Sequence, residues 1–128
     1  MIGGNYMKIE PLTKKEQEIM DVLWNSEESM STNDIKLAAP ELVSCTIQQI
    51  VQKLLKKKYI EISGIGYTKN VLTRKYSPIF SQAEYLRSLA TEKSCLQFVT
   101  SYIEDSNSAE TLHTLENMIK KRFKEIEE

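Results

Sequence analysis

The sequence predicts a mainly helical protein in which three helices precede a β-hairpin and two further helices follow it. Apolar residues recur at helical spacing before residue 58 and after residue 81, whereas the segment between them changes to short β-type runs. The chain has 128 residues, of which 41% are hydrophobic and 27% charged, the balance of a folded globular protein. We therefore expect one core domain over residues 1–80 and a helical appendage over residues 81–128.

The first helix is marked by a capping box. Thr13 and Glu16 are three residues apart, so their side chains can satisfy free amide groups at a helix start. We expect the helix to begin there and to run to about Asn25. Its buried side is expected to carry Ile19, Met20, Leu23 and Trp24.

The second and third helices follow, with a short turn between them. A capping signal at Ser31 or Thr32 predicts a short second helix that carries Ile35, Leu37 and Ala38 and ends before Pro40. Ser44 is expected to cap the third helix. One apolar stripe recurs at helical spacing along the third helix and consists of Ile47, Ile50, Val51, Leu54 and Leu55.

The opposite face of the third helix is polar. Amide and lysine side chains dominate it, and the sequence has no Asp or Glu from Val43 through Ile60. An ordinary surface helix mixes acidic with basic residues, so this face is unusual. It consists of Cys45, Gln48, Gln49, Gln52, Lys53, Lys56 and Lys57, with Thr46 near its edge.

A β-hairpin is predicted after the third helix. A first β-type run over Tyr59–Ile62 is expected to be broken by Gly64-Ile65-Gly66, and a second run extends from Val71 to Tyr76. Two such runs joined by a basic loop predict a hairpin. The loop is expected to contain Tyr67, Thr68, Lys69 and Asn70.

The C-terminal part is predicted to be two helices that associate with a second copy of the chain. Ser81 and Glu84 form another capping box and predict one long helix through about Glu104, followed by a break and a last helix. Two helices cannot bury both of their apolar stripes in so small an appendage, so self-association is the simplest solution. The residues assigned to dimerisation are Leu86, Leu89, Leu96, Val99, Ile103, Leu112, Leu115, Ile119 and Phe123.

The net charge of −1 conceals a basic centre. Residues 45–80 carry seven basic residues against one acid, whereas residues 1–44 have a net charge of −4 and residues 81–128 one of −3. A basic centre between acidic flanks is expected of a site for a polyanion. The alternative is that the basic residues form a solvated face without a partner.

Three helices followed by a two-stranded hairpin are the order of a winged helix-turn-helix. In such folds the third helix enters the major groove of DNA, and the hairpin, or wing, contacts the backbone or the minor groove. The basic stretch falls on those two elements, so the sequence predicts DNA binding. The alternative function is a protein-interaction module built on the same fold, without sequence-specific DNA binding.

Other functional classes have little support in the sequence. Two cysteines and the single His113 predict neither a disulfide framework nor a metal site, and we expect no cofactor. The sequence lacks a phosphate-binding glycine loop, G-x-S-x-G and H-E-x-x-H, so we expect neither catalysis nor a small-molecule substrate. It also lacks a secretory signal, and no apolar run is long enough for a membrane span. We therefore expect a cytoplasmic protein.

The sequence resembles the BlaI/MecI/CopY family of bacterial repressors over roughly residues 9–126. Leu12–Trp24 looks like the first helix of the family, which ends in a similar apolar-apolar-Trp. Thr46-Ile47 followed by Leu54, Lys57 and Lys58 is similar to the third helix of the family. The segments Arg74–Pro78 and Ser81–Leu86 are similar to the exit of the wing and the start of the dimerisation helix.

This resemblance implies a homodimeric repressor that binds a palindromic double-stranded DNA operator and regulates an antibiotic-resistance or stress operon. Carried over by position, the DNA-binding residues are Thr46, Gln48, Gln49, Gln52 and Lys53 on the third helix and Thr68, Lys69 and Asn70 on the wing. Gln48 stands where the family often has Arg. Because Gln pairs best with adenine and Arg with guanine, the operator is expected to differ at the base that this residue contacts.

The family also suggests how the repressor is released. Its CopY-type members carry a C-terminal metal-binding cysteine cluster that this sequence lacks, so copper sensing by that route is excluded. Its BlaI/MecI-type members are inactivated by proteolysis at an Asn-Phe bond, where this chain has Ser101-Tyr102. A sensor protease that cuts within residues 95–108 is therefore an expectation from the resemblance.

Overall fold

The computed structural model describes residues 9–127, apart from the side chain of Thr68. Over this range the chain forms α1 (Lys14–Asn25), α2 (Thr32–Ala38), α3 (Ser44–Lys57), β1 (Ile60–Thr68), β2 (Val71–Pro78), α4 (Gln82–Leu89), α5 (Glu92–Asp105) and α6 (Ala109–Glu127). The elements divide into two compact units between Leu89 and Ala90. The predicted order of three helices, a hairpin and C-terminal helices is confirmed.

The core of the first unit lies between α1, α2 and α3. Aliphatic side chains from all three helices are buried there, and aromatic side chains from the hairpin end and α4 extend the core on one side. Trp24, expected to be buried, is only half-buried, and its indole N–H donates to the Phe80 carbonyl at 2.9 Å. The buried residues include Ile19, Met20, Leu23, Ile35, Leu42, Ile47, Val51, Leu54, Ile60, Phe80 and Tyr85.

A cap was predicted for four helix starts, and three of these starts carry it. The Thr13–Glu16 box starts α1, a Ser31–Asp34 box starts α2, and Ser81 and Glu84 exchange the same two bonds before α4. The prediction that Ser44 caps α3 is wrong. Val43 occupies the cap position, because its carbonyl already accepts the Ile47 amide at 3.0 Å and Ser44 is the first helical residue.

The hairpin has a longer first strand and a shorter turn than the sequence predicted. The expected break at Gly64-Ile65-Gly66 is wrong, because a bulge between Ile62 and Gly64 absorbs Ser63 and β1 then continues to Thr68. A side chain at Gly66 would meet the Lys75 side chain at 2.6 Å, so glycine lets that lysine cross the strand. The predicted loop shrinks to Lys69-Asn70, whose positive φ angles of 50° and 64° match the type I′ hairpin turn.

The single long helix expected from Ser81 to about Glu104 is also wrong. It is divided into α4 and α5, because Thr91 has extended backbone and its hydroxyl accepts the Ser94 amide at 3.0 Å, which starts a new helix. The predicted break before the last helix is confirmed at residues 106–108. In residues 9–127, the helices are all too short or too polar to cross a membrane.

An ion pair between the buried Glu16 and the exposed Lys57 joins α3 to α1. Glu16 is 2% exposed, and its carboxylate accepts the Thr13 amide at 3.0 Å and the Lys57 ammonium at 2.8 Å. Burial alone would raise the pKa of the Glu16 carboxyl, but the bonds from Lys57 and Thr13 outweigh it and the pKa lies below its usual value. The bond to Glu16 likewise raises the pKa of Lys57.

Glu16→Gln is expected to lower the free energy of unfolding by about 1 kcal/mol near neutral pH, because it removes the charged partner of Lys57, whose side chain is 39% exposed and so partly screened by solvent. A carboxyl with a lowered pKa stabilises the fold above its ordinary value of 4.5 and loses that contribution as the pH falls through the folded value. Urea unfolding at neutral and acidic pH should therefore show that the difference in free energy of unfolding between the variant and the unsubstituted protein becomes smaller in acid. Glu18→Gln is the control, and a difference that does not change with pH would refute the assignment.

Lys58 ends α3 in the left-handed conformation, with φ 64° and ψ 37°. A residue with a Cβ is strained there, whereas glycine is not, so Lys58→Gly should raise the free energy of unfolding by about 0.5–1 kcal/mol. Lys53→Gly, in the helical interior of α3, should instead lower it by about 1 kcal/mol. Urea unfolding of both variants checks this, and destabilisation by both would contradict it.

Candidate nucleic-acid interface

The core fixes which face of α3 meets solvent. Ile47, Val51 and Leu54 are fully buried, and Ile50 is nearly so. The opposite side chains are therefore held outward, as the helical spacing predicted. The outward residues that the sequence assigned to DNA binding are Gln48, Gln49, Gln52 and Lys53, all exposed, and Thr46, which is half-buried.

Three lysines close α3, and the structure gives them different roles. Lys56 is exposed on the polar face, whereas Lys57 turns towards α1 and pairs with Glu16 at 2.8 Å. Lys58 supplies the left-handed residue that ends the helix. Lys57 was assigned to the polar face from the sequence, but it contacts α1 instead. The positive charge of the polar face therefore lies on Lys53 and Lys56.

The first turn of α3 offers backbone donors to a ligand. In the described residues, no side chain caps this helix, so its leading amide groups have no side-chain partner. Cys45 is exposed in this turn, and it is a free thiol. Such amide groups, at the positive end of the helix dipole, favour an anionic partner.

A cleft of about 320 Å³ lies beside the start of α3. It is bounded by α2, by α3 and by β2 of the wing, so the wing stands next to the third helix. Its α2 and β2 residues were not predictable from the sequence, because their proximity to α3 depends on the tertiary fold and on the hairpin register. The lining residues are Thr32, Asn33, Lys36, Ser44, Gln48, Val71 and Thr73.

The lysine of this cleft holds the turn between α2 and α3. The Lys36 ammonium donates to the carbonyls of Pro40 and Leu42, so it closes the end of α2 against the following turn. Both bonds occupy donors of Lys36 within the fold. Lys36 is therefore a structural part of the helix-turn-helix as well as a source of positive charge.

The wing ends in a basic turn. Lys69 and Asn70 are exposed at its tip, and Lys69 occupies a left-handed conformation that Asn or Gly would adopt more easily. Exposed side chains flank the turn. Among them are Tyr67, whose side chain is 76% exposed, and its cross-strand partner Leu72. The backbone of Thr68 pairs with Val71, and its side chain lies outside the described part of the chain.

The residues assigned to dimerisation are spread over both units. Leu86 and Leu89 are exposed on α4 of the first unit, and the others lie on α5 and α6 of the second. Leu112 and Leu115 are half-buried, whereas Leu96, Val99, Ile103, Ile119 and Phe123 are exposed. Phe98, Tyr102 and Met118 are further exposed apolar residues of the second unit that were not assigned from the sequence.

Metal-binding groups are sparse. In residues 9–127, His, Cys, Asp and Glu nowhere cluster in threes in a way that could hold a metal ion. His113 is exposed and has Glu116 at 3.7 Å, one turn away on α6. Cys95 is a free, half-buried thiol on α5.

Comparison with known proteins identifies a family. The profile described as "Penicillinase repressor" matches residues 12–128, nearly the whole chain. None of the curated proteins compared with the chain matches it.

Three similar solved structures have low sequence identity to this chain. A MarR/EmrR family transcriptional regulator from Acinetobacter sp. ADP1 is 20% identical, with 91% of this chain and 78% of that chain covered and a TM-score of 0.44. A MarR family regulator from Neisseria meningitidis is 17% identical, with 89% of this chain and 80% of that chain covered and a TM-score of 0.43. A structure described as GAS PerR-Zn-Zn is 18% identical over 54% of this chain at a TM-score of 0.40, and this chain covers 45% of that chain.

Proposed function

The chain belongs to the penicillinase repressor family, and from this premise we propose that it is a homodimeric repressor that binds a palindromic DNA operator through α3 and the wing. The family makes it a DNA-binding transcriptional repressor. The observation that supports the interface most directly is the outward face of α3, which is fixed by the core and carries amides and lysines without an acid. The bacterial cytoplasm is its proposed place of action.

The proposed contacts divide into two groups. Gln48 and Gln49, exposed near the start of α3, are placed to contact base edges, with Thr46 and Gln52 beside them. Lys53 on α3 and Lys69 with Asn70 at the wing tip, together with Thr68, are proposed to contact phosphates. Contacts to phosphates fix the position of the protein, and contacts to bases select the sequence.

The conformation of Lys69 supports a role for the wing tip. A lysine in the left-handed region costs about 1 kcal/mol relative to glycine, yet it stands at the first turn position with φ 50°. Strain of this kind is retained where a side chain is needed at that place. A positive charge at the tip of the wing would contact a phosphate of the duplex.

The proposed dimer rests on the apolar surface of α5 and α6. Residues 90–128 expose large side chains that a single copy of this unit leaves in water, such as Leu96, Val99, Ile119 and Phe123. Burying such side chains against a second copy would stabilise a dimer by about 1.5–3 kcal/mol for each fully buried residue. A two-fold dimer would present two copies of α3 to two half-sites of a palindrome.

Release by a sensor protease is proposed for the same region. Ser101 and Tyr102 are both exposed on α5, within residues 95–108. A cut at this bond would separate α6 from the first unit, so the two DNA-binding units would lose part of their dimer contact. Incubation with the cognate sensor protease should yield two fragments, and a chain that stays intact would oppose this mechanism. The regulated genes are proposed to be an antibiotic-resistance or stress operon.

Binding to duplex DNA is expected to be tight, sequence-dependent and sensitive to salt. A dimer that contacts about 6–10 phosphates should lose orders of magnitude in affinity between low and moderate salt. Fluorescence anisotropy with the DNA upstream of its own gene, with unrelated DNA as competitor, measures this and the expected two chains per duplex. Lys53→Gln should lower the slope of log affinity against log salt by about one for each phosphate contact that it removes.

Lys93→Gln on α5 removes the same charge outside the proposed interface and is the control, because its salt slope should equal that of the unsubstituted protein. A shallow salt response with no preference for any sequence would refute the repressor function. That result would favour an interaction module built on the winged helix.

Gln48 is expected to select adenine at one position of each half-site, since its amide can donate to and accept from adenine in the major groove. Selection from a pool of duplexes with randomised half-sites should return that base, and Gln48→Arg should change the preference to guanine. Lys56→Arg keeps a positive charge on the same helix and should leave the consensus unchanged. A guanine at this position for the unsubstituted protein would show that Gln48 does not contact that base.

A further inference from the structure

Helix α4 is fastened to the first unit, although the sequence assigned it to the C-terminal helices. The Tyr85 side chain is buried, with its ring centroid 5.6 Å from that of Trp24 and 6.4 Å from that of Phe80. Phe80 itself lies 6.2 Å from Trp24 and packs edge-on against Tyr59 at 5.3 Å. These four aromatic residues form one cluster that joins α1, the end of the hairpin and α4.

Two tyrosine hydroxyl groups bind the segment that precedes α1. The Tyr85 hydroxyl accepts the backbone N–H of Leu12 at 2.9 Å, across 73 residues of sequence. The Tyr59 hydroxyl accepts the backbone N–H of Glu10 at 3.0 Å. The segment therefore lies between α4 and the residue that follows the end of α3.

The same contacts reach the third helix. The Lys57 ammonium lies 5.7 Å from the ring centroid of Tyr59 while it pairs with the buried Glu16. Tyr59 also donates its backbone N–H to Leu54 of α3 at 3.0 Å. A continuous set of packed and hydrogen-bonded groups therefore runs from the end of α3, through Tyr59 and Phe80, to Tyr85.

We propose that Tyr85 is a positioning residue for operator binding: its ring and hydroxyl hold α4 in a fixed direction relative to α3. This inference rests on the proposed function. Since α4 is the last element of the first unit, its direction sets where the chain leaves the DNA-binding surface. In a dimer, a fixed exit raises the effective concentration of the second unit at its half-site once the first unit is bound. It also reduces the conformational freedom lost in that second step.

The test compares the unsubstituted protein and Tyr85→Phe on two duplexes from the randomised selection, one with both half-sites and one with the second half-site scrambled. The phenylalanine ring keeps the packing and loses only the bond to Leu12. We expect affinity for the two-site duplex to fall by about threefold to tenfold, the range one hydrogen bond can supply, with affinity for the one-site duplex unchanged. Urea unfolding of both proteins shows that the variant is folded.

Ser26→Ala is the matched control, because it also removes the hydrogen bond of a side-chain hydroxyl within the first unit, but one that lies outside the contacts between α3 and α4. It should affect the two duplexes alike. Equal loss on both duplexes for Tyr85→Phe, or a two-site affinity equal to that of the unsubstituted protein, would overturn the positioning role.

Failure of the proposed function gives a different result. If the unsubstituted protein bound the two-site and one-site duplexes equally, the two-site repressor function would be refuted, and the inference with it. If the unsubstituted protein preferred the two-site duplex and Tyr85→Phe kept the whole of that preference, only the inference would be refuted.

Discussion

Ile47, Val51 and Leu54 leave almost no surface to solvent, so α3 cannot rotate about its axis without exposing aliphatic side chains. Exposure of a fully buried Ile, Val or Leu side chain costs about 1.5–3 kcal/mol, and a rotation would expose several of them at once. This constraint holds Gln48, Gln49 and Lys53 on the exposed side of the helix. The polar face can therefore change in sequence while the buried face preserves the fold.

The basic residues at the centre of the sequence serve two purposes. Lys57 neutralises the buried Glu16 carboxylate and joins α3 to α1, whereas Lys53 and Lys69 remain on the surface. Arithmetic along the chain counts these residues together, so it overstates the charge that faces a ligand. The sequence from Val43 through Ile60 still contains no acidic residue, so α3 itself carries no negative side chain.

The sequence predicted what depends on local patterns. The Thr13–Glu16 and Ser81–Glu84 boxes start helices where they were expected, since each needs only residues within one turn. The continuation of β1 past Gly64 depends instead on its partner strand and on the bulge that absorbs Ser63. The attachment of α4 through Tyr85 depends on Leu12 and Trp24, which are more than sixty residues away, so spacing alone could not reveal it. The exposure of Gln48, Gln49, Gln52 and Lys53 on α3 was predictable, because the helical period alone decides their face.

The hairpin also bears on the behaviour of the protein when no DNA is present. Met30 pairs with Tyr76 and so covers part of the outer edge of β2, but this cover ends well before the tip. Towards the tip, residues such as Tyr67, Val71 and Leu72 combine high β propensity with exposed apolar surface. Unpaired strand edges of this kind can add a strand from a neighbouring molecule, and nearby lysines oppose such stacking through charge repulsion. The cations of the wing thus contribute to colloidal stability. Because salt screens their repulsion, the solubility of the free protein should fall as the ionic strength rises.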